Sequence, residues 1–455
     1  MNTKRIQMTN TRTSIFSQSR HHQGGYATLG ISVVLLLVLS LITIYLTRSG
    51  IIDIRTSANK ARYAQALTDA ERKLEIGLSW LGQSANRATL LAETPLVNWV
   101  DCTTLTTLKV QDLGEEKTPP DTWRCRPRKI DGTLADPTIV PPETAFVIAT
   151  PDAASAIGKT YFVVAEGSST DGSGSAVVKQ GVYFFTTNGG SSNAPPMMGA
   201  GNIPLNGNYS VVANPNGGGQ GVPVSVWSKV VIPPLSGSAA TCQLGEYLQA
   251  GNNCTESLSS SSKYGSDLVG ADPITLAPPT NFPDDVFQYV FGVPSNAYGI
   301  VKAQANTTVT NCSNLAGLSG IVWVTGNCTI PSGSKIGLDT TVSPPILKPL
   351  ILVVESDGIT GNFTMNANSE FYGLLFVFGP PQGSPPTYNA GDIQANGGAK
   401  FYGSMISNDS TDMGLNINGT FDMVYSKNVM DIISNDTTYK TMARIPGSWA
   451  DFLTD

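Results

Sequence analysis

The rhythm of apolar and polar positions changes along this chain, and each change marks an element. Tyr26 to Leu46 runs 21 residues without a charge, and Arg48 closes the run. At about 1.5 Å per residue a helix of this length spans roughly 30 Å, the thickness of a bilayer core. No other stretch is long and apolar enough to cross. Residues 1–25 carry four cations, Lys4, Arg5, Arg12 and Arg20, and no acid. That flank predicts a cytoplasmic N-terminus and an exported C-terminal part. A cleaved secretory signal needs small residues after the apolar run, and Thr47-Arg48-Ser49-Gly50-Ile51 is a poor site. The apolar segment is therefore expected to be retained, with any processing ahead of it. From Asp53 to Trp80 the chain turns rich in Ala, Arg, Lys, Leu and Glu. Leu67, Ala70, Leu74, Leu78 and Leu81 share one helical face, and Asp69 and Lys73 pair at i,i+4 on another. No Pro interrupts residues 26–94. The pattern predicts one helix from Tyr26 to Leu81, about 84 Å long, with Gly50 as its weak point. Its amphipathic outer half needs a surface to pack on.

Beyond the helix the period shortens. A Pro-rich stretch, 95–143, precedes strand-like runs at Ala145–Thr150, Thr160–Gly167 and Ala176–Thr187, the last two joined by a Ser/Gly/Asp hairpin connection. Such a meander can cover the amphipathic helix face. Thr186–Pro204 has the Gly/Ser/Asn/Pro composition of a linker. Residues 205–455 read as mainly β and repeat weakly. GNFTMNANSEFYGLLFV (361–377) aligns with GDIQANGGAKFYGSMIS (391–407), and NINGTFDMVYS (416–426) is a looser copy. Self-similar short strands predict stacked coils of a parallel β-solenoid. Phe371 and Phe401 would stack inside, Glu370 and Lys400 would pair on the outer wall, and 379–389 would form a loop between coils. An ordinary β-sandwich with chance similarity is the competing reading. The expected fold class is α+β: a long N-terminal transmembrane helix, a small antiparallel β head and a mainly β C-terminal domain. Its segments are 1–25, 26–82, 83–190, a linker at 191–204, and 205–455.

Composition narrows the chemistry. Charged residues make up 14% of the chain and the formal net charge is −6. That argues against nucleic-acid binding, which needs clustered cations. The only His, His21 and His22, precede the apolar run. The main body therefore cannot hold a His-based catalytic triad or a His-ligated zinc. The six Cys lie beyond the apolar run, and their spacing favours sequential pairs: Cys102–Cys125, Cys242–Cys254 and Cys312–Cys328. Each would stabilise its loop by about 3 kcal/mol. A Cys metal site competes, but no CxxC occurs. Asp409, Asp412 and Asp422 lie close in sequence without a paired base and read as loop and edge residues. Asp409 and Asp412 are a weak calcium candidate without EF-hand spacing. Gly217–Gly221 lacks the Lys-Ser/Thr of a P-loop and reads as a turn. Trp227, Trp323, Tyr372 and Tyr402 are either exposed contacts or core stacking. No catalytic residue and no cofactor is implied.

The segment QGGYATLGISVVLLLVLSLITIYLTRSGIIDIRTSANKARYAQALTDAERKLE resembles a type IV prepilin, most closely the PilX family of minor pilins, over residues 20–82. YFVVAEGSSTDGSGSAVVKQGVYF (161–184) and VVANPNGGGQGVPVSVWS (211–228) are also similar to that family. The resemblance implies a prepilin peptidase cut between Gly25 and Tyr26, in a leader longer than most. The mature chain would keep 24 cations against 34 acids. Most pilins carry Glu at the fifth mature position, where it neutralises a neighbouring subunit's free amine; here that position is Gly30. A subunit without this Glu suits a place with nothing ahead of it, as in PilX-type and related pseudopilin proteins at the tip, and an uncharged Gly30 also suits any membrane helix. A bulky exported part would likewise clash on a shaft lattice. The implied role is in a tip complex that primes pilus assembly. The chain would sit in the inner membrane with its C-terminal part periplasmic, and then at the extracellular pilus tip. Its implied partners are other minor pilins and the major pilin, through the helix, and a PilY-type tip adhesin. Two alternatives stand beside this: an uncleaved membrane-anchored adhesin or binding protein, and a membrane-tethered carbohydrate-active enzyme using Asp409 or Asp412.

Overall fold

The computed structural model describes residues 25–83, 85–87, 90, 99–102, 105, 123–135, 144–151, 160–185, 194–255, 258–279, 281–445 and 447–453. The expected leader up to residue 24, much of the loop 95–143 and part of the linker 191–204 lie outside the described residues. Helix α1 spans Gly25–Gly82, and the chain divides within it, after Ala64, into two compact units.

In the first unit α1 leaves its apolar side chains open: Leu36 is 67% exposed and Ile54 70%. Among the described residues it is the one helix long and apolar enough to cross a membrane, with a mean hydropathy of 2.7 over its most apolar window. Its hydroxyls turn inward. Ser40 donates to Leu37 O at 2.8 Å, Thr43 to Leu39 O at 2.7 Å and Thr47 to Thr43 O at 2.6 Å. Polar groups bonded to the helix's own carbonyls carry little cost in an apolar medium. Gly50 is helical like its neighbours.

In the second unit, residues 65–82 of α1 bury one face. Ala66, Ala70, Leu74, Leu78 and Leu81 are each at most 2% exposed, and Leu67 is half-buried. They pack on a sheet of seven antiparallel strands. Five come in chain order: β1 (Val100–Asp101), β2 (Trp123–Arg128), β3 (Phe146–Pro151), β4 (Thr160–Ser168) and β5 (Ser175–Phe185). Two come from the far end of the chain, Thr441–Arg444 and Ala450–Leu453, and both pair with β5. The sheet therefore extends beyond 83–190. Helix and sheet approach closely, since a Cβ on Gly167 would lie 2.0 Å from Ala66 O. Lys73 donates to Glu166 O at 2.8 Å, and its partner Asp69, 2.9 Å away, accepts from Ser168 N. At the end of the helix the buried Arg87 guanidinium donates to Leu81 O and Gly82 O, capping open carbonyls. Burial lowers its pKa to about 10.

The rest of the second unit is mainly β and built from parallel pairings. It contains β6 (Met197–Gly199), β7 (Asn206–Val212), β8 (Val226–Ser228), β9 (Gly320–Val324), β10 (Leu350–Glu355), β11 (Glu370–Phe378), β12 (Ala399–Ser407) and β13 (Thr420–Val424). A sheet of 14 strands follows the path Thr307–Val309, β9, β10, β11, β12, β13, β7, Ala240–Cys242, Ser259–Ser260. Every pairing on that path is parallel except the last. The second half of β12 also pairs in parallel with β6, β6 with β8, and β8 with Leu268–Val269. A separate sheet stacks Cys328–Ile330, Phe363–Met365, Ile393–Asn396 and Leu415–Asn418, again in parallel.

Strand order is not chain order. The chain enters this stack at β6, in its middle, and moves outward to Leu268–Val269 at one edge. A connection carrying helices α2 (Val286–Phe291) and α3 (Gly299–Ala303) leads to Thr307–Val309 at the other edge. From there the chain winds back to β13, beside β7. It leaves through helix α4 (Lys427–Asn435) for the two strands that pair with β5, here β14 (Thr441–Arg444) and β15 (Ala450–Leu453). Entry and exit thus adjoin, as an insertion between β5 and β14 requires.

Alternate residues of each strand face two cores. Val322, Leu352, Leu375, Phe401 and Met405 point inward. Ile321, Trp323, Ile351, Phe376 and Ile406 meet Phe287, Phe291, Val429, Met430 and Ile433 of α2 and α4. Strands covered on both faces read as continuous apolar runs, which explains GLLFVF and LILVV. The repeat is in register: Glu370 lies beside Lys400, Phe371 beside Phe401, Tyr372 beside Tyr402 and Gly373 beside Gly403. Phe371 and Phe401 stack at 4.8 Å and Tyr372 and Tyr402 at 4.6 Å. The ion pairs differ from expectation. Glu370 bonds Lys335 at 3.1 Å, and Lys400 lies 3.8 Å from Asp422. In a parallel ladder each charge has a neighbour on both sides, and the order Lys335, Glu370, Lys400, Asp422 alternates in sign. The 379–389 stretch is a small hairpin, Pro381–Gln382 against Thr387–Tyr388.

Gly403 (φ +144°) leaves no room for a side chain, because its Cβ would lie 1.8 Å from Gly373 O. Gly172 (φ +70°) has a positive φ in open space. Gly403→Ala should cost about 3 kcal/mol or more through backbone displacement, and Gly172→Ala about 1 kcal/mol. Chemical unfolding of both variants checks the difference.

Candidate functional site

Two features stand out: the uncovered apolar part of α1 and the ends and walls of the parallel stack. Gly25 and Tyr26, which flank the expected processing site, are the first residues described, and both lie in α1. Gly30 has nothing within 4 Å of a built Cβ. With Ile31, Val34, Leu35 and Val38 it lines a shallow apolar groove. An open apolar surface of this kind must be covered by lipid or by another helix.

The three disulfides are the sequential pairs, and each has a structural place. Cys102–Cys125 ties the β1 segment to β2. Cys312–Cys328 joins the segment after Thr307–Val309 to Cys328–Ile330, at one edge of the stack. Cys242–Cys254 sits at the opposite edge, in the strand beside Ser259–Ser260. Edge strands have a partner on one side only, so a covalent clamp there limits fraying.

Asp409 and Asp412 are engaged by the chain around them. Asp409 is 3% exposed, and its oxygens are used within the turn. Oδ1 accepts from Thr411 N and Thr411 Oγ1, both 2.7 Å, and from Asp412 N at 3.0 Å; Oδ2 accepts from Ala390 N at 2.7 Å. Asp412 Oδ1 accepts from Gly414 N. Donor hydrogens take up Asp409 Oδ1, where a calcium ion would compete for the same lone pairs. These bonds give Asp409 a structural role in the turn. Among the described residues no group of three or more His, Cys, Asp or Glu could hold a metal ion. Asp422 accepts from Tyr247 Oη at 2.9 Å, and burial raises its pKa against the pull of Tyr247 and Lys400.

The aromatic candidates divide. Trp323 is fully buried, and its Nε1 donates to Glu355 Oε2 at 2.7 Å, an oxygen that also accepts from Lys302 at 2.6 Å. Trp227 packs edge-on against Phe282 and Tyr289. Gly217–Gly221 closes a tight turn through Gly218 N to Val222 O. Sequence reading missed Asp267, 1% exposed, which accepts from Thr241 Oγ1 and Ser259 Oγ at 2.6 Å each. It also missed Gln304, whose side-chain amide bonds both N–H and C=O of Met442 at 2.6 Å. Neither residue sits in a local motif that would reveal it.

No protein-family model, curated protein or solved structure matches this chain.

Two outcomes follow from this geometry. Removing the clamp with Cys312→Ser and Cys328→Ser should cost about 3 kcal/mol and speed amide exchange in β9, read by exchange mass spectrometry. A carboxyl whose folded pKa is raised above 3.8 contributes stability that is full below that value and lost as pH rises through the folded pKa. Wild type should therefore gain stability relative to Asp422→Asn between pH 7 and pH 4, measured by chemical unfolding at each pH.

Proposed function

We propose that this chain is a minor pilin of a type IV pilus, acting in a tip complex that primes filament assembly. The observation that carries the reading is α1: one long helix, apolar and uncovered at first, then amphipathic and packed by Ala66–Leu81 on an antiparallel sheet. A basic leader ending in Gly24-Gly25 precedes it. In this reading prepilin peptidase cuts before Tyr26. The helix is held first in the inner membrane and then among other minor pilins and the major pilin. Packing of small and apolar side chains drives that contact. Gly30 in place of Glu, and a large exported part, favour the tip. The three disulfides suit a periplasmic C-terminal part. The stacked parallel strands are read as a β-solenoid, and a PilY-type adhesin is the implied neighbour.

The test is the N-terminus of membrane-extracted protein, read by mass spectrometry with and without the prepilin peptidase. The expected result is a peptide beginning at Tyr26 only when the peptidase is present. A chain that keeps residues 1–25 under both conditions would overturn the pilin reading and leave a membrane-anchored binding protein.

A further inference from the structure

The outer wall of the parallel stack carries a cavity of about 470 Å³ whose chemistry no structural role absorbs. Its floor lies at the C-terminal ends of three adjacent parallel strands, β12, β6 and β8, where the chain's later half meets its earlier half. Its walls come from the connection leading to α2 and from the 381–388 hairpin. Lys229, Leu276, Pro278, Asp284, Tyr388 and Ser410 are the lining residues that matter here. The volume falls in the range of roughly 300–1,000 Å³ seen for small-ligand sites.

Three observations point to a ligand. First, the half-buried Lys229 and the exposed Asp284 line the same cavity, and neither side chain has an ionic or hydrogen-bonding partner among the described residues. Second, the groups around them are fixed. The Tyr388 hydroxyl lies 3.0 Å from Ser295 Oγ, and its amide donates to Ser410 Oγ at 3.0 Å. Asp285, next to Asp284, caps α2 by accepting from Gln288 N at 2.9 Å. Third, Leu276 is held at φ +57°, a conformation that disfavours any residue with a Cβ. Asp272 closes that turn, its carbonyl accepting from Leu276 N at 2.8 Å. The strained leucine is 69% exposed at the cavity rim.

We propose that this cavity binds a neutral sugar. One cation and one anion give the lining no net charge, so an anionic or cationic ligand gains one attraction and meets one repulsion. A sugar hydroxyl both donates and accepts, and neighbouring hydroxyls satisfy Asp284 and Lys229 together. The C–H face of the ring packs on Leu276 and Pro278, with Ser410 at hand as a further polar contact. The proposal does not depend on leader cleavage.

The test uses full-length protein in micelles of a detergent without a sugar headgroup. Saturation-transfer NMR is recorded with D-galactose, D-mannose and N-acetyl-D-glucosamine as neutral probes, and D-glucuronate and glycine as charged ones. The expected result is binding of at least one neutral probe, weakened about tenfold by Lys229→Met and by Asp284→Ala. Leu276→Gly relieves the backbone, so its thermal midpoint should hold or rise while affinity falls severalfold. A purely structural leucine would leave affinity unchanged. Absence of binding by all three neutral sugars, preference for glucuronate or glycine, or binding that survives all three substitutions would each overturn the proposal.

Discussion

The architecture of the second unit depends on the antiparallel pairing of β5 with β14 and β15. Phe185 pairs with Thr441 and Lys179 with Ala450, so the chain must return to the strand from which it set out. Everything between is an insertion with adjoining ends. A stack wound in simple chain order would place its exit at the far edge. This one enters at its middle, runs to one edge, crosses by way of α2 and α3, and winds back. Every neighbour across the join stays parallel, so the backbone ladder continues although the sequence does not. The return is reinforced on both flanks. Arg444 forms a bidentate pair with Glu75 of α1, and Gln304 occupies the backbone groups of Met442 as a neighbouring strand would.

Burial on two faces then sets side-chain identity. Within β11, Phe371 and Leu375 face the interior of the stack, while Phe376 and Phe378 face α2 and α4. Each such fully buried side chain contributes roughly 1.5–3 kcal/mol. The inward phenylalanines stack because the parallel register brings identical positions together, and Gly373 and Gly403 are required because carbonyls of the adjoining strand lie where a Cβ would be. Aromatic stack and glycine pair are two results of one register.

What the sequence made legible is local or periodic. The face Ala70, Leu74, Leu78, Leu81 follows from helical spacing. The Phe371–Phe401 stack follows from the repeat, and the Cys pairs follow from short loops. The partners of Lys400 and Glu370 were not legible, because the alternating ladder includes Lys335 and Asp422, which lie outside the two best copies. The middle entry at β6 and the return of β14 were not legible either. Periodicity reports that a face is covered, and only the topology says by what. Asp409 and Asp412 show the same limit from the chemical side. Neighbouring acids suggest a cation, yet Asp409 serves four N–H and O–H donors and fastens the turn that follows β12.

The join also accounts for where free chemistry is found. In the body of the stack, charges on the outer wall lie beside opposite charges of the next strand, as Glu370 and Asp422 do. Past the C-terminal ends of β12, β6 and β8, successive neighbours belong to distant parts of the chain and share no repeat. No ladder partner is supplied there for Lys229, while the crossing segment that the insertion makes necessary brings Asp284 to the same cavity. The apolar half of α1 is unpaired for a different reason: its own hydrogen bonds are complete, and its side chains need only an apolar surrounding. One surface is incomplete in polar partners and the other in apolar ones, so contacts at the first are to be chemically selective and contacts at the second are to be governed by packing.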